Sequence, residues 1–505
     1  MRGVHTFIDD IRRQVFTEVA RMAFEGGDYA ETIRRMPFKI IPGDMAKHRQ
    51  NIMVERAVVS ERIRLAMGLP LRDVTEYCPS DSQLEESVIP DKYYEPPLIN
   101  IISFACNACP TKQVKVTNMC QGCLAHPCKE ICPKDAISLV QGKSVIDQEK
   151  CIKCGKCADQ CPYGAILKIE RPCAEACGMD AIGSDHLGRA KIDYDKCVSC
   201  GMCLANCPFG AISDKSQIFQ LIQAIKQGDK VVAAVAPAFV SQFGENVTSS
   251  QIREAMRRVG FQKVIEVAVG ADMCTAEEAE DFLKKVPNEQ PFMATSCCPS
   301  WSVMAKKLFP QFKDYISMAM TPMVLAARLY KKDHPDVRIV FIGPCTAKKL
   351  EASRRTVRSD VDFVLTFEEM QGIFDAKGVV PAEMPVNPDE EFKTGTSQGR
   401  GFAVTGGVAA AVKAAIAEIA PDREVKVERA DGLRECRKML LMAKTGRYNG
   451  YLLEGMGCPG GCVAGAGTIT PVNKSTAAVS RYTAAAPVKS VQDSAAVKRL
   501  REVQD

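Results

Sequence analysis

Apolar residues gather in short unbroken runs through the second half of this chain. "KVVAAVAPAF" (230–239), "KVIEVAVG" (263–270), "PFMATS" (291–296), "VRIVFIG" (337–343) and "VDFVLTF" (361–367) predict strands covered on both faces, because a half-solvated strand would alternate apolar with polar positions. Between them, "SQIREAMRRVG", "AEEAEDFLKKV" and "AAAVKAAIAEIA" carry apolar residues at helical spacing. Strand–helix alternation over about 216–480 predicts an α/β layer fold with a largely parallel sheet, whose sites lie beyond the carboxyl ends of strands. Residues 1–95 hold helical pattern, as in "RQVFTEVARMAFEGG" and "ERAVVSERIRLAMG", and no ligand motif; a docking or capping role fits them. Residues 481–505 are rich in alanine and charge and predict a surface helix or a frayed tail.

The intervening segment, about 96–215, breaks the pattern. Of 24 cysteines, sixteen fall between Cys106 and Cys207. Scattered thiols would read as small buried hydrophobes, but these are clustered. "CIKCGKCADQCP" (Cys151, Cys154, Cys157, Cys161) and "CVSCGMCLANCP" (Cys197, Cys200, Cys203, Cys207) match the C-x2-C-x2-C-x3-C-P run of bacterial ferredoxins. "CQGCLAHPCKEICP" (Cys120, Cys123, Cys128, Cys132) is the same run with two extra residues. A tight loop brings three thiolates to one cubane, with backbone N–H groups aimed at its sulfurs. The fourth cysteine leaves on a helix toward the neighbouring cluster. Zinc sites lack this triple-plus-one spacing.

The flanks repeat too. "CPKDAI", "CPYGAI", "CGMDAI" and "CPFGAI" begin at Cys132, Cys161, Cys177 and Cys207. Four half-units imply two ferredoxin-like modules, α+β in character. "PCAEACGMDAI" keeps Cys173 and Cys177 without a leading C-x-x-C, and "CNAC" (Cys106, Cys109) stands alone upstream. An inner module, about 111–168, nested inside a split outer one accounts for both. The crossing rule then pairs Cys120, Cys123 and Cys128 with Cys161, and Cys151, Cys154 and Cys157 with Cys132. It pairs Cys197, Cys200 and Cys203 with Cys177, and Cys106, Cys109 and Cys173 with Cys207. An unrelated thiol pair is the alternative for Cys106 and Cys109.

Five more cysteines follow the apolar runs. "TSCCPSW" holds Cys297 and Cys298, "GPCTAKKLE" holds Cys345, and "EGMGCPGGC" holds Cys458 and Cys462. Three strand ends thus bring five thiols to one region. One cubane takes four, which leaves a thiol next to another.

These three segments resemble the signature segments of iron-only (FeFe) hydrogenases, over roughly 216–475, and the ferredoxin modules extend the resemblance upstream to about 100. The resemblance implies two twisted, mostly parallel sheets flanked by helices. Between them lies an H-cluster, a 4Fe–4S cubane joined through one cysteine to a two-iron unit with CO, cyanide and a bridging dithiolate amine. It implies Cys298, Cys345, Cys458 and Cys462 as cubane ligands, with Cys462 the bridge. Cys297 would relay protons to the amine. Lys348 would donate to a cyanide, supported by Glu351; Met456 and Phe402 would line the pocket, and Pro237 would lie at the other cyanide. Glu278, Asp281 and Ser317 would form a proton route, with Lys285 where an arginine is usual. Gly343, Ala238, Met323 and "GAGTITP" depart from the usual residues around the two-iron unit and resemble a less-studied branch. The glycines of "EGMGCPGGCVAGAG" would let the backbone approach the group and leave it room. Cys78, Cys274 and Cys436 read as buried thiols.

A net charge of +5 over 505 residues lends no support to nucleic-acid or membrane-surface binding. No apolar run reaches spanning length, and "MRGVHTFIDDIRRQVF" mixes charge with its apolar residues, unlike a signal peptide. A cytoplasmic protein is expected, where clustered cysteines mean metal or catalysis. The implied activity is reversible 2H⁺ + 2e⁻ ⇌ H₂ by a ferredoxin-dependent hydrogenase. Four 4Fe–4S clusters would link it to ferredoxin or a similar one-electron carrier, and maturases would insert the two-iron unit. The alternatives are a hydrogen sensor of low turnover and an iron–sulfur electron-transfer or scaffold protein.

Overall fold

A computed structural model describes residues 4–89 and 94–504. Three helices open it: α1 (Phe7–Glu25), α2 (Tyr29–Ile40) and α3 (Ile52–Ala66). α1 begins at a reciprocal cap between Thr6 and Asp9, which satisfies amides that a first helical turn otherwise leaves orphaned.

The cysteine-rich segment holds eight short strands. They are β1 (Ile99–Ile101), β2 (Gln113–Val116), β3 (Ile137–Val140), β4 (Lys143–Ile146), β5 (Ile166–Ile169), β6 (Ile182–Ser184), β7 (Ala190–Ile192) and β8 (Ile212–Asp214). All pair antiparallel: β1 with β8, β2 with β5, β3 with β4 and β6 with β7. The β2–β5 ladder therefore closes inside the β1–β8 ladder, and one ferredoxin-like unit sits within another.

Helix α4 (Ile218–Lys226) leads into the carboxy-terminal domain. Its strands are β9 (Lys230–Val235), β10 (Lys263–Glu266), β11 (Met293–Ala294), β12 (Val337–Gly343), β13 (Phe363–Thr366), β14 (Lys426–Asp431) and β15 (Tyr451–Met456). They form two parallel sheets, ordered β10-β9-β12-β13 and β11-β15-β14. Helices α5 (Ala268–Lys285), α6 (Phe367–Lys377) and α7 (Gly407–Ile419) flank them. The run "KVIEVAVG" is strand only to Glu266; α5 starts at Ala268. A short apolar run fits a buried helix as well as a buried strand. "KVVAAVAPAF" likewise turns at Pro237, where a proline has no amide to give the ladder.

The amino-terminal helices do not stand apart. Val15, Phe16 and Val19 share one apolar core with Phe219, Phe367 and Phe374. Gly372 of α6 sits where a Cβ would lie 2.5 Å from that of Phe16. Arg12 and Arg13 pair with Glu368 and Asp375 at 2.6 and 2.5 Å. A fully buried ammonium, Lys349, joins the ferredoxin segment to the same body, 2.7 Å from Asp214 of β8, the Lys215 carbonyl and Glu369 of α6. The tail packs rather than frays: Val491 and Val497 are buried, and Ser494, preceding helix α8 (Ala495–Gln504), donates to Asp272 of α5 at 3.2 Å. Among the described residues no helix is long and apolar enough to cross a membrane.

Candidate functional site

Pairing of β11 with β15 in parallel (Met293↔Leu452, Ala294↔Leu453) makes their carboxyl ends coincide. Cys297 and Cys298 follow one end; Cys458 and Cys462 follow the other. Cys345 follows β12 of the second sheet. Burial raises the Cys345 thiol to about 11, and the Cys298 thiolate adds to the effect. Burial raises Cys462 to about 12, with Cys345 and Cys298 adding. The Gly457 amide donates to Cys298 Sγ at 3.3 Å. Thiols that oppose one another's ionisation need positive charge among them. That donor set fits a 4Fe–4S cubane on Cys298, Cys345, Cys458 and Cys462.

Cys297 is buried, and burial, then Glu278 and Cys274, push its thiol well up. It shares an apolar cluster with Cys274, Phe402 and Met456. Lys348 donates to Glu351 at 2.7 Å and to the Cys297 carbonyl at 3.4 Å. Two of its three N–H groups are so used. Burial opposes its charge, but Glu351 overrides this and holds the pKa above the ordinary lysine value. Pro237 and Ala238 are buried in the turn after β9, and Met323 is buried too. Gly343 is hemmed in by the Phe341 ring, 2.5 Å from where a Cβ would lie.

The glycine loop corrects one expectation. Gly460 and Gly461 do take positive φ, +96° and +89°. Yet what a Cβ would strike is protein: the Trp301 ring at Gly455 (2.2 Å), the Val404–Thr405 backbone at Gly461 (2.6 Å), Pro344 at Gly465 (2.4 Å) and Thr366 at Gly467 (2.2 Å). These glycines admit neighbouring chain rather than leave space. Two acids to which the sequence reading gives no role hold this region. Asp431 accepts from the Gly460 amide and the Thr405 hydroxyl, both at 3.0 Å. Glu454 is buried and caps α7 through the Gly406 and Ala409 amides at 2.7 and 2.8 Å.

Of the proton-route residues, Glu278 and Ser317 meet and Asp281 stands off. Glu278 is fully buried, and its Oε1 accepts from the Ser296 amide at 2.9 Å and the Ser296 hydroxyl at 3.2 Å. Ser317 lies beside it. Its Oε2 has no hydrogen-bond partner among the described residues. Burial raises its carboxyl from an ordinary 4.5 to about 7, against the pull of the Ser296 hydrogen bonds and the nearby Ser317 hydroxyl. Asp281 pairs with Lys285 at 2.8 Å, half-exposed, one turn further along α5. Ser296, whose hydroxyl donates to Glu278 and to the Ala319 carbonyl, is a contact that sequence reasoning misses, because a serine beside two cysteines carries no spacing signal.

A carboxyl raised in this way stabilises the fold below about pH 4.5, and that share is lost as pH rises through about 7. Glu278→Gln should remove it. The apparent melting temperature of the unaltered protein should fall relative to the variant between pH 4.5 and 7 and then run level; parallel curves throughout would show that Glu278 does not titrate there.

In the ferredoxin segment, the second intervening residue of each leading C-x-x-C is left-handed: Ala108 (+46°), Gly122 (+61°), Lys153 (+59°) and Ser199 (+54°). For a non-glycine residue this costs roughly 1–2 kcal/mol, so four recurrences mark one loop type, the "CNAC" pair included. In each half-unit the alanine four residues on donates to sulfur: Ala136 to Cys132 (3.3 Å), Ala165 to Cys161, Ala181 to Cys177 and Ala211 to Cys207 (3.4 Å each). Cys106, Cys109, Cys173 and Cys207 line one cavity, and Cys132, Cys151, Cys154 and Cys157 line another. Burial lifts Cys200 to about 12, with Cys177 and Cys197 adding; Cys203 also rises. Cys120 and Cys128 gather on Ser144, and Cys128 packs with Cys161; Cys123 completes the Cys120 loop. The Thr346 hydroxyl donates to the Ser199 carbonyl at 2.9 Å, which locks the Cys345 loop onto the Cys197–Cys200 loop.

Comparison with known proteins agrees with this layout. Residues 229–466 match the family described as the C-terminal domain of the iron only hydrogenase large subunit, and residues 144–167 and 190–213 match the 4Fe-4S binding domain. Iron hydrogenase 1 of Clostridium pasteurianum is 29% identical over 73% of each chain. The periplasmic [Fe] hydrogenase large subunit of Nitratidesulfovibrio vulgaris is 29% identical over 64% of this chain and 85% of its own. Cytosolic Fe-S cluster assembly factor NAR1 of Sclerotinia sclerotiorum also matches, 28% identical over 33% of this chain and 36% of its own. A solved variant of [FeFe]-hydrogenase HydA1 from Chlamydomonas reinhardtii covers 54% of this chain and 89% of that one, at 24% identity and TM-score 0.45; at that score the likeness adds nothing. Residues 229–466 thus match the C-terminal domain of the iron only hydrogenase large subunit, behind segments that match the 4Fe-4S binding domain, and the chain is FeFe-hydrogenase-like.

Proposed function

We propose that the protein catalyses 2H⁺ + 2e⁻ ⇌ H₂ at an H-cluster on Cys298, Cys345, Cys458 and Cys462. Four 4Fe–4S clusters on the sets given above carry electrons to or from ferredoxin or a similar carrier, in the cytoplasm. The observation behind this reading is the company those four thiols keep. A fifth thiol, the Lys348–Glu351 pair and the buried Glu278 carboxyl all meet at the same strand ends. A scaffold needs only the four thiols.

When bound, the two-iron unit inserted by maturases supplies the bond chemistry of hydrogen. The chain handles protons and position. Cys297, kept protonated by burial, gives and takes a proton at Sγ. Glu278 holds the next proton near neutrality, where a relay works best, and Ser296 and Ser317 bind its carboxyl in place. Asp281 and Lys285 form the surface end. Lys348, fixed by Glu351, keeps one N–H for an anionic ligand. Phe402, Met456, Pro237 and Ala238 exclude water.

The deciding experiment is infrared spectroscopy of matured protein, paired with hydrogen evolution from reduced viologen. CO and cyanide bands with evolution are expected. Bands with negligible turnover would favour hydrogen sensing. No bands after verified maturation, with the cubanes intact, would sink the hydrogenase reading and favour a role like that of the assembly factors.

A further inference from the structure

The two modules carry the same turn in different surroundings. "CPYG" (161–164) of the inner module and "CPFG" (207–210) of the outer both end in a glycine at positive φ, +59° and +56°. Nothing lies within 4 Å of where a Cβ of Gly164 would sit. At Gly210 that space is taken by the Arg62 guanidinium (2.8 Å) and Ile8 (3.0 Å). Arg62 comes from α3, is 5% exposed, and donates to the Gly210 carbonyl. Arg49, between α2 and α3, donates to the carbonyls of Phe209 at 2.8 Å and Ala105 at 3.3 Å. The amino-terminal region therefore grips both stretches that flank Cys106 and Cys207.

The acids nearby are already engaged. Glu55 accepts from the amides of Lys47, His48 and Arg49 at 3.1, 2.6 and 2.7 Å, which fixes the loop that presents Arg49. Arg12 has Glu368, and Glu61 has Arg72. Arg62 is in no ion pair among the described residues; the hydrogen bond it makes is to a carbonyl. A buried cation without a counter-charge is costly. The anion common to Arg62 and Arg49 is the Cys207 thiolate; Glu368, already paired with Arg12, also acts on Arg62, and Glu55, already held by backbone amides, on Arg49. A 4Fe–4S cluster with four thiolates is net anionic and gains another negative charge on reduction, so a fixed cation beside it favours the reduced form.

We propose that Arg62, aided by Arg49, raises the reduction potential of the cluster on Cys106, Cys109, Cys173 and Cys207 above that of its inner-module counterpart on Cys120, Cys123, Cys128 and Cys161. The amino-terminal helices are then a potential-setting part of the electron path. This rests on the four-cluster reading above. The test is an EPR-monitored redox titration of full-length, cluster-reconstituted protein, unaltered and as Arg62→Met, Arg62→Lys and Arg49→Gln, with Cys109→Ser identifying this cluster's signal. At a fixed ambient potential, Arg62→Met should shift the reduced-to-oxidised ratio of this one cluster about tenfold toward oxidised, about 59 mV for a one-electron couple. Arg62→Lys should restore most of it, Arg49→Gln should shift it the same way by less, and the other signals should not move. Unchanged potentials, with four clusters counted by iron analysis, overturn the inference alone. Fewer than four clusters in the unaltered protein, with this signal missing, overturn the four-cluster reading and the inference together. If Arg62→Met fails to fold, Arg49→Gln, on a half-exposed side chain, makes the same decision.

Discussion

Cys297→Ser is expected to cut hydrogen evolution by about 100-fold or more while the CO and cyanide infrared bands persist. The substitution is nearly isosteric, and the contact that Cys297 makes to Lys348 runs through its backbone carbonyl, so the pocket should stay assembled. What changes is acidity. A serine hydroxyl is a far weaker acid than even a buried thiol, and a positioned acid–base group contributes typically about 10²–10⁴-fold. Paired infrared and viologen-linked assays separate the two effects. Turnover within threefold of the unaltered protein would remove Cys297 from the proton path; loss of the bands would mean it holds the cofactor instead.

Lys349→Met is expected to cost about 3–5 kcal/mol of stability, the range for removing one partner of a buried ion pair. The side chain is fully buried, and its removal leaves Asp214 and Glu369 facing each other with only Arg12, 3.7 Å from Asp214, as a nearby cation. The loss should appear as a large drop in apparent melting temperature. Lys349→Met combined with Asp214→Asn and Glu369→Gln should recover much of it, because the stranded charges go too. A single variant that melts with the unaltered protein would show that the network is not holding the ferredoxin segment to the carboxy-terminal domain.

The parts of this architecture legible in the sequence are those that repeat or obey a strict spacing. The thiol loops are of this kind; "CNAC" is not, and only the left-handed backbone of Ala108 aligns it with them. Buried parallel strands such as β9 and β12 announce themselves by unbroken apolar runs. Strand β14 does not. Its residues, "KVERAD", lie at a sheet edge and are at best half-buried, so neither an apolar run nor an alternation marks it. The start of α5 is hidden because apolar residues continue from strand into helix. The roles of Glu454, buried, and Asp431, half-buried, are hidden for another reason: an acid bonded to backbone amides leaves no pattern of its own, since its partners have no sequence identity. The docking of α1 onto α6 joins residues such as Arg12 and Glu368, 356 positions apart, and local periodicity carries no information at that range.

That separation has a consequence for synthesis. At about 5–20 residues per second, roughly 20 to 70 seconds pass between the emergence of α1 and that of α6. Throughout that interval Val15, Phe16 and Val19 lack much of the surface that finally covers them. All sixteen cysteines of the ferredoxin segment leave the ribosome within the same window, before the amino-terminal helices have their last partner. Arg62 and Arg49 must close over the Ala105 and Phe209–Gly210 carbonyls from a region that is itself still waiting to dock. The first helix made is among the last to be secured.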